Sequence, residues 1–400
     1  MINVHNNWDP LEEIWLGDVY PAHFYDDLEP EVRDSFYQLT EWTKQDLTVI
    51  ENKLKEFGVI VRRPTIDGDK SNYLFKDKFL LKPPICPRDE NAVIADKLYI
   101  AGTPDYSYQS LRQYYPKENI VEANSSVLHQ LGVVSGANIV KIGKDVIFDY
   151  SFPDSKIIPL EQQKENIFKH FKIFCEAHGN VFKDYRLHYS TNGGHADACF
   201  MPVKPGLVLT THYWDNYDKI LPDWQHINIK EPTWVNAQKI KRIRHQIGLT
   251  QEAIIPHNGA NDWLGVIQNM PRHFNNYVKK FCKEWVGNYK ETFFEVNTIM
   301  LDENNLMCID SVDAYEPLYE ELERHGVKVH AMPWRTRGFW DGGMHCITLD
   351  IRRRGELKDY FPNRGTTGVH KISSKLFYND EHFFSEYNVW KNNGHISHLV

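Results

Sequence analysis

The 400-residue chain lacks the features that would place it in a membrane, in a secretory pathway or on a nucleic acid. No run of about 18 apolar residues is available to span a bilayer. The first ten residues contain neither a basic segment nor an apolar segment, unlike a signal peptide. The net charge of −8 leaves no excess of basic side chains for a phosphate backbone. We therefore expect a cytoplasmic protein with no membrane partner and no nucleic acid partner.

Cysteine is also scarce, and no two cysteines form a C-x-x-C pair. The chain has 6, at positions 86, 175, 199, 282, 308 and 346. Isolated cysteines of this kind are expected to be reduced thiols, not a disulfide framework. A metal site would need suitable ligands, and the types are present at His195, Asp197, Cys199, His345 and Cys346. Paired ligand spacing is missing, however, so we expect no metal.

No linker rich in proline, glycine or serine divides the chain, and a repeated pattern takes its place. Two short apolar runs around a tight polar turn recur at residues 92–100, 139–148, 199–209 and 298–308, and each predicts a β-hairpin. Apolar residues at helical spacing end at Gly58 and at Gly326, each followed by a short strand, and residues 178–179 offer a third case of this connection. These repeats predict one α/β domain over residues 1–400. Four hairpins and the strand after Cys346 indicate five radially arranged modules.

Polar side chains stand directly before each predicted hairpin and before the last strand. If the modules are equivalent in space, these side chains converge at one end of the molecule, as an active site on a rigid scaffold requires. A structural explanation is that Asp and Asn merely cap strands and turns. The positions are Arg88 and Asp89, Ser135 and Asn138, His195 and Asp197, Glu295 and Asn297, and His345 and Cys346.

Cys346 is the candidate nucleophile. It follows Gly342 and Gly343, and glycines permit close approach of the backbone. A buried inert thiol is the alternative for any single cysteine. Carboxylates beside a cysteine raise its pKa, so Asp89 and Asp197 do not serve to activate the thiol directly. They fit a cationic substrate, because a planar guanidinium binds carboxylates through paired, charge-assisted hydrogen bonds.

Four segments resemble one enzyme family. They are similar to segments of the glycine and inosamine-phosphate amidinotransferases. The four are residues 342–346 followed by 350–355, the His-x-Asp segment 195–200, the Pro-Arg-Asp segment 87–89 and the first strand at 8–13. The resemblance runs from about residue 8 to about residue 362. It implies the pentein fold, an α/β-propeller of five ββαβ-type modules around a pseudo-fivefold axis, with the active site at its centre.

The resemblance also implies a chemistry. Cys346 would attack the guanidino carbon of a donor such as L-arginine, and His195 would move the protons. Asp89 and Asp197 would hold the guanidinium, and Asn192 lies at a family position near the amino-acid end of the donor. An amidino-cysteine intermediate would then react with an amine acceptor, without a metal or cofactor. Arginine deiminases and dihydrolases share the Cys, His and Asp set and finish with water, so guanidino hydrolysis is the alternative.

Two positions depart from the family pattern. The family has Asp-Ala-Ala before Asp or Asn where this chain has Ser135, Gly136, Ala137 and Asn138, so the carboxylate that supports the histidine is missing. We assign Ser135 and Asn138 to substrate binding. By its spacing after His195, Trp214 stands near the position where the family has the arginine that holds the donor carboxylate. Either the donor is not held like free arginine, or another cation such as Arg335 or Arg337 has taken over.

Three further features receive a structural interpretation. His345 is left out of the catalytic set, because neighbouring residues of a strand point to opposite faces. The run from Arg352 to Arg354 lies in a strand-to-loop segment of an acidic protein, so it does not indicate a nucleic-acid patch. The aromatic C-terminal stretch serves packing or a subunit contact, which leaves a homodimer open.

Overall fold

Four of the six small sheets in the described part of this α/β protein contain one of the predicted hairpins. The computed structural model describes residues 1–28, 30–66, 68–75, 78–79, 83–100, 106–122, 135–149, 183–190, 196–198, 200–210, 221–228, 296–310, 316–336, 340, 342–364 and 368–371. Its α-helices are α1 (Pro30–Glu56), α2 (Pro87–Glu90), α3 (Tyr106–Arg112) and α4 (Glu316–Arg324). Short 3-10 helices occur at Ala22–Tyr25, Lys70–Tyr73, Lys117–Asn119, Gly136–Asn138, Ala196–Ala198 and Pro362–Arg364.

The strands follow in chain order. The first nine are β1 (Leu11–Leu16), β2 (Ile60–Arg62), β3 (Leu74–Phe75), β4 (Lys78–Phe79), β5 (Asn91–Ile94), β6 (Lys97–Ile100), β7 (Ile120–Glu122), β8 (Ile139–Ile142) and β9 (Asp145–Asp149). The other nine are β10 (Arg186–Ser190), β11 (Phe200–Lys204), β12 (Leu207–Thr210), β13 (Gln225–Asn228), β14 (Ile299–Asp302), β15 (Asn305–Ile309), β16 (Lys328–Met332), β17 (Thr348–Arg353) and β18 (Gly368–Lys371).

All four hairpins predicted from the sequence are confirmed. They are the antiparallel pairs β5–β6, β8–β9, β11–β12 and β14–β15. The second strand of each pair also accepts a parallel neighbour, namely β7, β10, β13 and β16 respectively. A fifth sheet repeats this pattern with distant parts of the chain, since β17 pairs antiparallel with β1 and β1 pairs parallel with β2. One three-stranded pattern therefore recurs five times in the described residues.

The predicted helix-to-strand connections are confirmed as well. Helix α1 buries Leu39, Leu47, Ile50 and Leu54, whose spacing places them on one face. The chain then turns at Gly58 with φ of +77°, a left-handed conformation that favours glycine, and enters β2. Helix α4 ends in the same way at Gly326, with φ of +73°, before β16. A further predicted connection, at residues 178–179, lies outside the described residues.

The polar segments before the hairpins meet, as expected from the repeats. Helix α2 packs against β17 and against the 3-10 turn Gly136–Asn138, and that turn packs against the 3-10 turn Ala196–Ala198. The approach is close, because a β-carbon on Gly136 would lie 2.5 Å from the carbonyl oxygen of Asn91. Apolar residues of α1, β1, β14 and β15 pack beneath this region together with Cys86 and Cys346. No helix among the described residues is long and apolar enough to cross a membrane.

Candidate active site

The candidate nucleophile lies in a tight turn that leads into β17. Residues 344–347 form the turn, and the backbone N–H of Ile347 donates to the carbonyl of Gly343 at 3.2 Å. Gly342 has φ of +151°, and a β-carbon there would lie 2.5 Å from Cβ of Cys346. A β-carbon on Gly343 would lie 2.7 Å from Oδ1 of Asn297. Both glycines are therefore needed for the turn to pack as it does.

Asn297, just before β14, binds this turn through its side chain and its backbone. Its Oδ1 accepts from the backbone N–H of Cys346 at 3.0 Å, and its Nδ2 donates to Cys346 Sγ at 3.0 Å. Nδ2 also lies 3.3 Å from the carbonyl oxygen of Asp197, and the Asn297 carbonyl accepts from the His345 N–H at 3.2 Å. The side chain is fully buried. Asn297 thus joins three segments that are distant in sequence.

Asp197 contacts the thiol and a histidine with the same carboxylate oxygen. Its Oδ2 lies 3.6 Å from Cys346 Sγ and 2.7 Å from Nδ1 of His345. All three side chains are buried. The carboxylate of Asp197 disfavours ionisation of the thiol while no cation is bound, because a negative charge next to a thiol raises its pKa.

His345 is neutral at physiological pH. Burial lowers its pKa, the positive charge of Arg88 lowers it further, and the bond to Asp197 offsets only part of the effect, so that the pKa falls to about 4. A neutral imidazole with Nδ1–H facing a carboxylate donates that proton in a hydrogen bond. His345 therefore orients the carboxylate of Asp197 without neutralising it.

The sequence argument that left His345 out of the catalytic set rested on a wrong premise. It assumed that residues 345 and 346 belong to a strand, whereas β17 begins only at Thr348 and both residues lie in the preceding turn. In a turn, neighbouring side chains need not point to opposite faces. Asn297 was singled out only by its place before a hairpin, and its contact with the sulfur could not be derived from the sequence.

Arg88 connects helix α2 to the cysteine turn. Its Nε donates to the carbonyl of His345 at 2.8 Å and to that of Thr348 at 3.0 Å, while Nη2 contacts Oδ1 of Asp350 at 2.7 Å. The guanidinium is only 1% exposed, so these bonds replace water. Asp89 follows on the same short helix and is half-buried. The helix that carries Asp89 is thereby fixed to the segment that carries Cys346.

Ser135 and Asn138 flank the 3-10 turn that lies against α2. The hydroxyl of Ser135 accepts from the backbone N–H of Ala137 at 3.3 Å, so it caps this turn. Asn138 is 6% exposed, and its Oδ1 has no hydrogen-bond partner in the part of the chain that the structure describes. A buried amide oxygen without a partner is costly, and a bound ligand would satisfy it.

Several predicted residues lie outside the described residues. These are His195, Asn192, Trp214, Arg337 and Glu295. Arg335 is described and is engaged elsewhere, because its Nε donates to Oδ1 of Asp46 at 2.9 Å and its Nη2 to the carbonyl of Trp42 at 3.0 Å. Helix α1 thus holds the guanidinium that was expected to replace the carboxylate-binding arginine. In the described ranges, no three His, Cys, Asp or Glu side chains are grouped as a metal site would need.

Two of the three arginines of residues 352–354 attach strand β17 to its neighbours through their side chains. Arg352 contacts Glu12 at 3.0 Å and Glu13 at 3.1 Å. Arg353 is buried, with Nε 3.0 Å from Oδ2 of Asp350 and Nη1 2.7 Å from the carbonyl oxygen of Asp9. The first two arginines therefore attach β17 to residues that precede or form β1.

Comparisons with known proteins agree with the resemblance drawn from the motifs. The chain is 22% identical to inosamine-phosphate amidinotransferase 1 of Streptomyces glaucescens, over 90% of this chain and 99% of that protein. It is 24% identical to the mitochondrial glycine amidinotransferase of Xenopus tropicalis, over 89% of this chain and 84% of that protein. The chain is similar to amidinotransferases. That prediction is confirmed, although no family model matches the chain.

Two solved structures share the fold. An inosamine-phosphate amidinotransferase from Streptomyces griseus has a TM-score of 0.57 at 20% identity and covers 90% of this chain and 99% of its own. An amidinotransferase from Microseira wollei, of the saxitoxin biosynthetic pathway, has a TM-score of 0.57 at 19% identity with the same coverage. The mixed α/β architecture with small sheets is therefore that of amidinotransferases.

Proposed function

We propose that this protein transfers an amidino group from a guanidino donor, with L-arginine as the expected donor, to an amine acceptor. The observation that carries the proposal is the contact of Cys346 Sγ with Asp197 Oδ2 at 3.6 Å and with Asn297 Nδ2 at 3.0 Å. A buried thiol between a carboxylate and an amide is unusual for a cysteine that only packs. The similarity to amidinotransferases over nine tenths of the chain points to the same chemistry.

In this mechanism Cys346 is the nucleophile. The thiolate attacks the guanidino carbon, a sulfur–carbon bond forms, and the bond from that carbon to the donor nitrogen breaks. His195 gives a proton to the departing amine, which leaves as ornithine when arginine is the donor. The acceptor amine then loses a proton to His195 and attacks the amidino carbon, which frees the sulfur. Splitting the transfer into two displacements is covalent catalysis.

The cationic substrate resolves the conflict between Asp197 and the thiol. Without substrate, the carboxylate opposes formation of a thiolate 3.6 Å away. A guanidinium held by Asp197 and Asp89 supplies positive charge in a buried site, where charge interactions are stronger than in water. The substrate thereby lowers the pKa of the thiol that will attack it. We further propose that three side chains contact the donor, namely those of Asn138, Asn192 and Ser135.

The remaining expectations complete the proposal. The five sheets form one catalytic domain over residues 1–400, closed as a five-module propeller around the site. The reaction needs no metal and no cofactor, and the partners are small molecules, not nucleic acids or membranes. The protein is expected in the cytoplasm, with a homodimer as the assembly to test.

Mass spectrometry of the intermediate tests the proposed function. After brief incubation with arginine labelled in the guanidino group and acid quenching, Cys346 should carry one labelled amidino group. The Cys346→Ser variant should carry none. The Cys86→Ser variant is the matched control, since Cys86 is another buried cysteine next to Gly342, and it should retain the adduct. Absence of an adduct with every guanidino donor tried would contradict the proposal.

Product analysis separates transfer from hydrolysis. With a panel of amine acceptors, ornithine release should require an acceptor and should match the amount of amidinated product. Citrulline or ammonia released without any acceptor would instead favour the guanidino hydrolase.

A further inference from the structure

We propose that Asn297 is a catalytic residue that stabilises the thiolate form of Cys346 by a hydrogen bond and fixes the position of the sulfur for attack. Asn297 lies before β14, in a different sheet from the one that β17 joins. Its carboxamide contacts both the backbone N–H and the sulfur of Cys346.

The orientation of the carboxamide is fixed by its partners. The backbone N–H of Cys346 can only donate, so the atom 3.0 Å from it must be the side-chain oxygen of Asn297. The carbonyl of Asp197 can only accept, so the atom 3.3 Å from it must be the nitrogen. Both requirements agree, and they leave an N–H group facing Sγ at 3.0 Å. The amide therefore donates to the sulfur in its only satisfied orientation.

A donor in this place favours the charged form of the thiol. A hydrogen bond to an ionised group is stronger than one to its neutral form, so it lowers the pKa of an acid that accepts it. Asp197 acts in the opposite sense from the other side of the same sulfur. Once a guanidinium neutralises that carboxylate, the contribution of Asn297 acts unopposed. The pair thus keeps the thiol protonated at rest and ready to ionise when the substrate is bound.

The packing around Asn297 keeps this contact rigid. The side chain is 0% exposed, so water does not compete for its amide. Gly343 packs directly against Asn297, because a β-carbon on this glycine would fall 2.7 Å from Oδ1 and 2.8 Å from Cβ of Asn297. The absence of a side chain at this glycine lets the carboxamide reach the cysteine. The second glycine of the motif is thereby explained by Asn297, not by the backbone of the turn.

The pH dependence of thiol alkylation tests the inference without any substrate. Iodoacetamide reacts with the thiolate, so the rate at Cys346, followed by peptide mass spectrometry, reports its ionisation. Asn297→Asp keeps an acceptor for the backbone N–H but replaces the donor at the sulfur with a carboxylate. We expect the midpoint of the alkylation profile to rise by about one to two pH units. Asn297→Ser removes the donor without adding charge and should raise the midpoint less.

Thr298→Val provides the matched control. Thr298 is the next residue, is 1% exposed, and its hydroxyl has no hydrogen-bond partner among the described residues, so the isosteric change alters the same segment without touching the sulfur. Its profile should equal that of the wild type. If Asn297→Asp is unfolded, Asn297→Ser decides the question. Unchanged midpoints in the folded Asn297 variants would overturn the inference.

The inference rests on the proposed function only for its kinetic consequence. If Cys346 is the nucleophile, Asn297→Ser should lower kcat by about tenfold or more, since it weakens a charge-assisted hydrogen bond at the reacting atom. A raised alkylation midpoint together with no amidino adduct on the wild type would mean that the thiolate role holds and that the proposed reaction fails. An adduct with unchanged midpoints would mean the reverse.

Discussion

Lowering the pH from 7 to 4 should destabilise this protein through His345, and the change His345→Asn should remove that part of the loss. Burial near Arg88 lowers the pKa of His345 from 6.5 to about 4. Between these values the unfolded chain binds a proton that the folded chain does not, so the free energy of unfolding falls as the pH falls. A difference of this size corresponds to about 3 kcal/mol.

Asparagine is the informative replacement because its Nδ2 can occupy the place of the histidine Nδ1. It can donate to Asp197 Oδ2, which lies 2.7 Å from that nitrogen in the wild type, yet it does not titrate. The thermal midpoints of both proteins are measured from pH 7 to pH 4. For a chain of this length, 3 kcal/mol corresponds to a shift of about 4 °C, so the wild type should lose about 4 °C more than the variant.

The comparison contains its own control, since other titrating groups, Asp197 among them, are present in both proteins. Any cost of the substitution that does not depend on pH appears at pH 7 and is subtracted. Equal losses in the two proteins between pH 7 and pH 4 would refute the reasoning, because His345 would then not hold a lowered pKa in the fold.

Three further changes test other parts of the structure. Ser135→Asp places a carboxylate where the amidinotransferases that this chain resembles have one. It should raise kcat by about tenfold or more if the histidine lacks support, since general acid–base catalysis typically contributes a hundredfold or more. A lower kcat would show that the serine serves this protein's own substrate. Gly342→Ala should abolish cysteine-dependent turnover and lower the thermal midpoint of unfolding. The reason is that residue 342 has φ of +151° and the added carbon would lie 2.5 Å from Cβ of Cys346. Unchanged activity would contradict the packing of the turn. Lys141→Met should remain folded, because Arg88 and Arg353 still neutralise Asp350. Burial lowers the pKa of Lys141 from 10.5 to about 8, so the wild type should gain stability from pH 8 to 10.5, and denaturation curves of the variant should lack this gain.

Local patterns were enough to predict most of the repeated fold. A hairpin needs only two short strands and a turn, and each of these has a signal within about ten residues. The α1 helix and its glycine cap were likewise visible in the spacing of Leu47, Ile50 and Leu54 before Gly58. The pairing of β1 with β17 had no such signal, because its partners lie more than 300 residues apart and only the folded chain brings them together.

The candidate site likewise has features that the sequence predicted and features that it could not predict. The polar residues before the hairpins were identified by position, and the structure brings Asp197, Asn297 and Cys346 into contact. What the sequence could not supply was the local conformation at Cys346, the candidate nucleophile. Treating His345 as part of a strand gave the wrong direction for its side chain, whereas the turn before β17 places it against Asp197. The catalytic and substrate-binding roles remain predictions for all the residues assigned to the site, namely Cys346, His195, Asp197, Asp89, Asn192, Asn138 and Ser135.

The arginine run, one of the segments that resemble amidinotransferases, is connected to the candidate site through Asp350. Arg353 and Arg88 bind opposite oxygens of the Asp350 carboxylate, at 3.0 Å and 2.7 Å, and Lys141 approaches it at 3.5 Å. Buried charges of this kind contribute little net stability, but leaving the Asp350 carboxylate without any cationic partner would be costly. Arg88 in turn holds the carbonyl of His345, and Arg353 holds the chain before β1. The network thereby fixes the cysteine turn relative to α2. The positive charge of Arg88 in this network also favours the neutral form of His345.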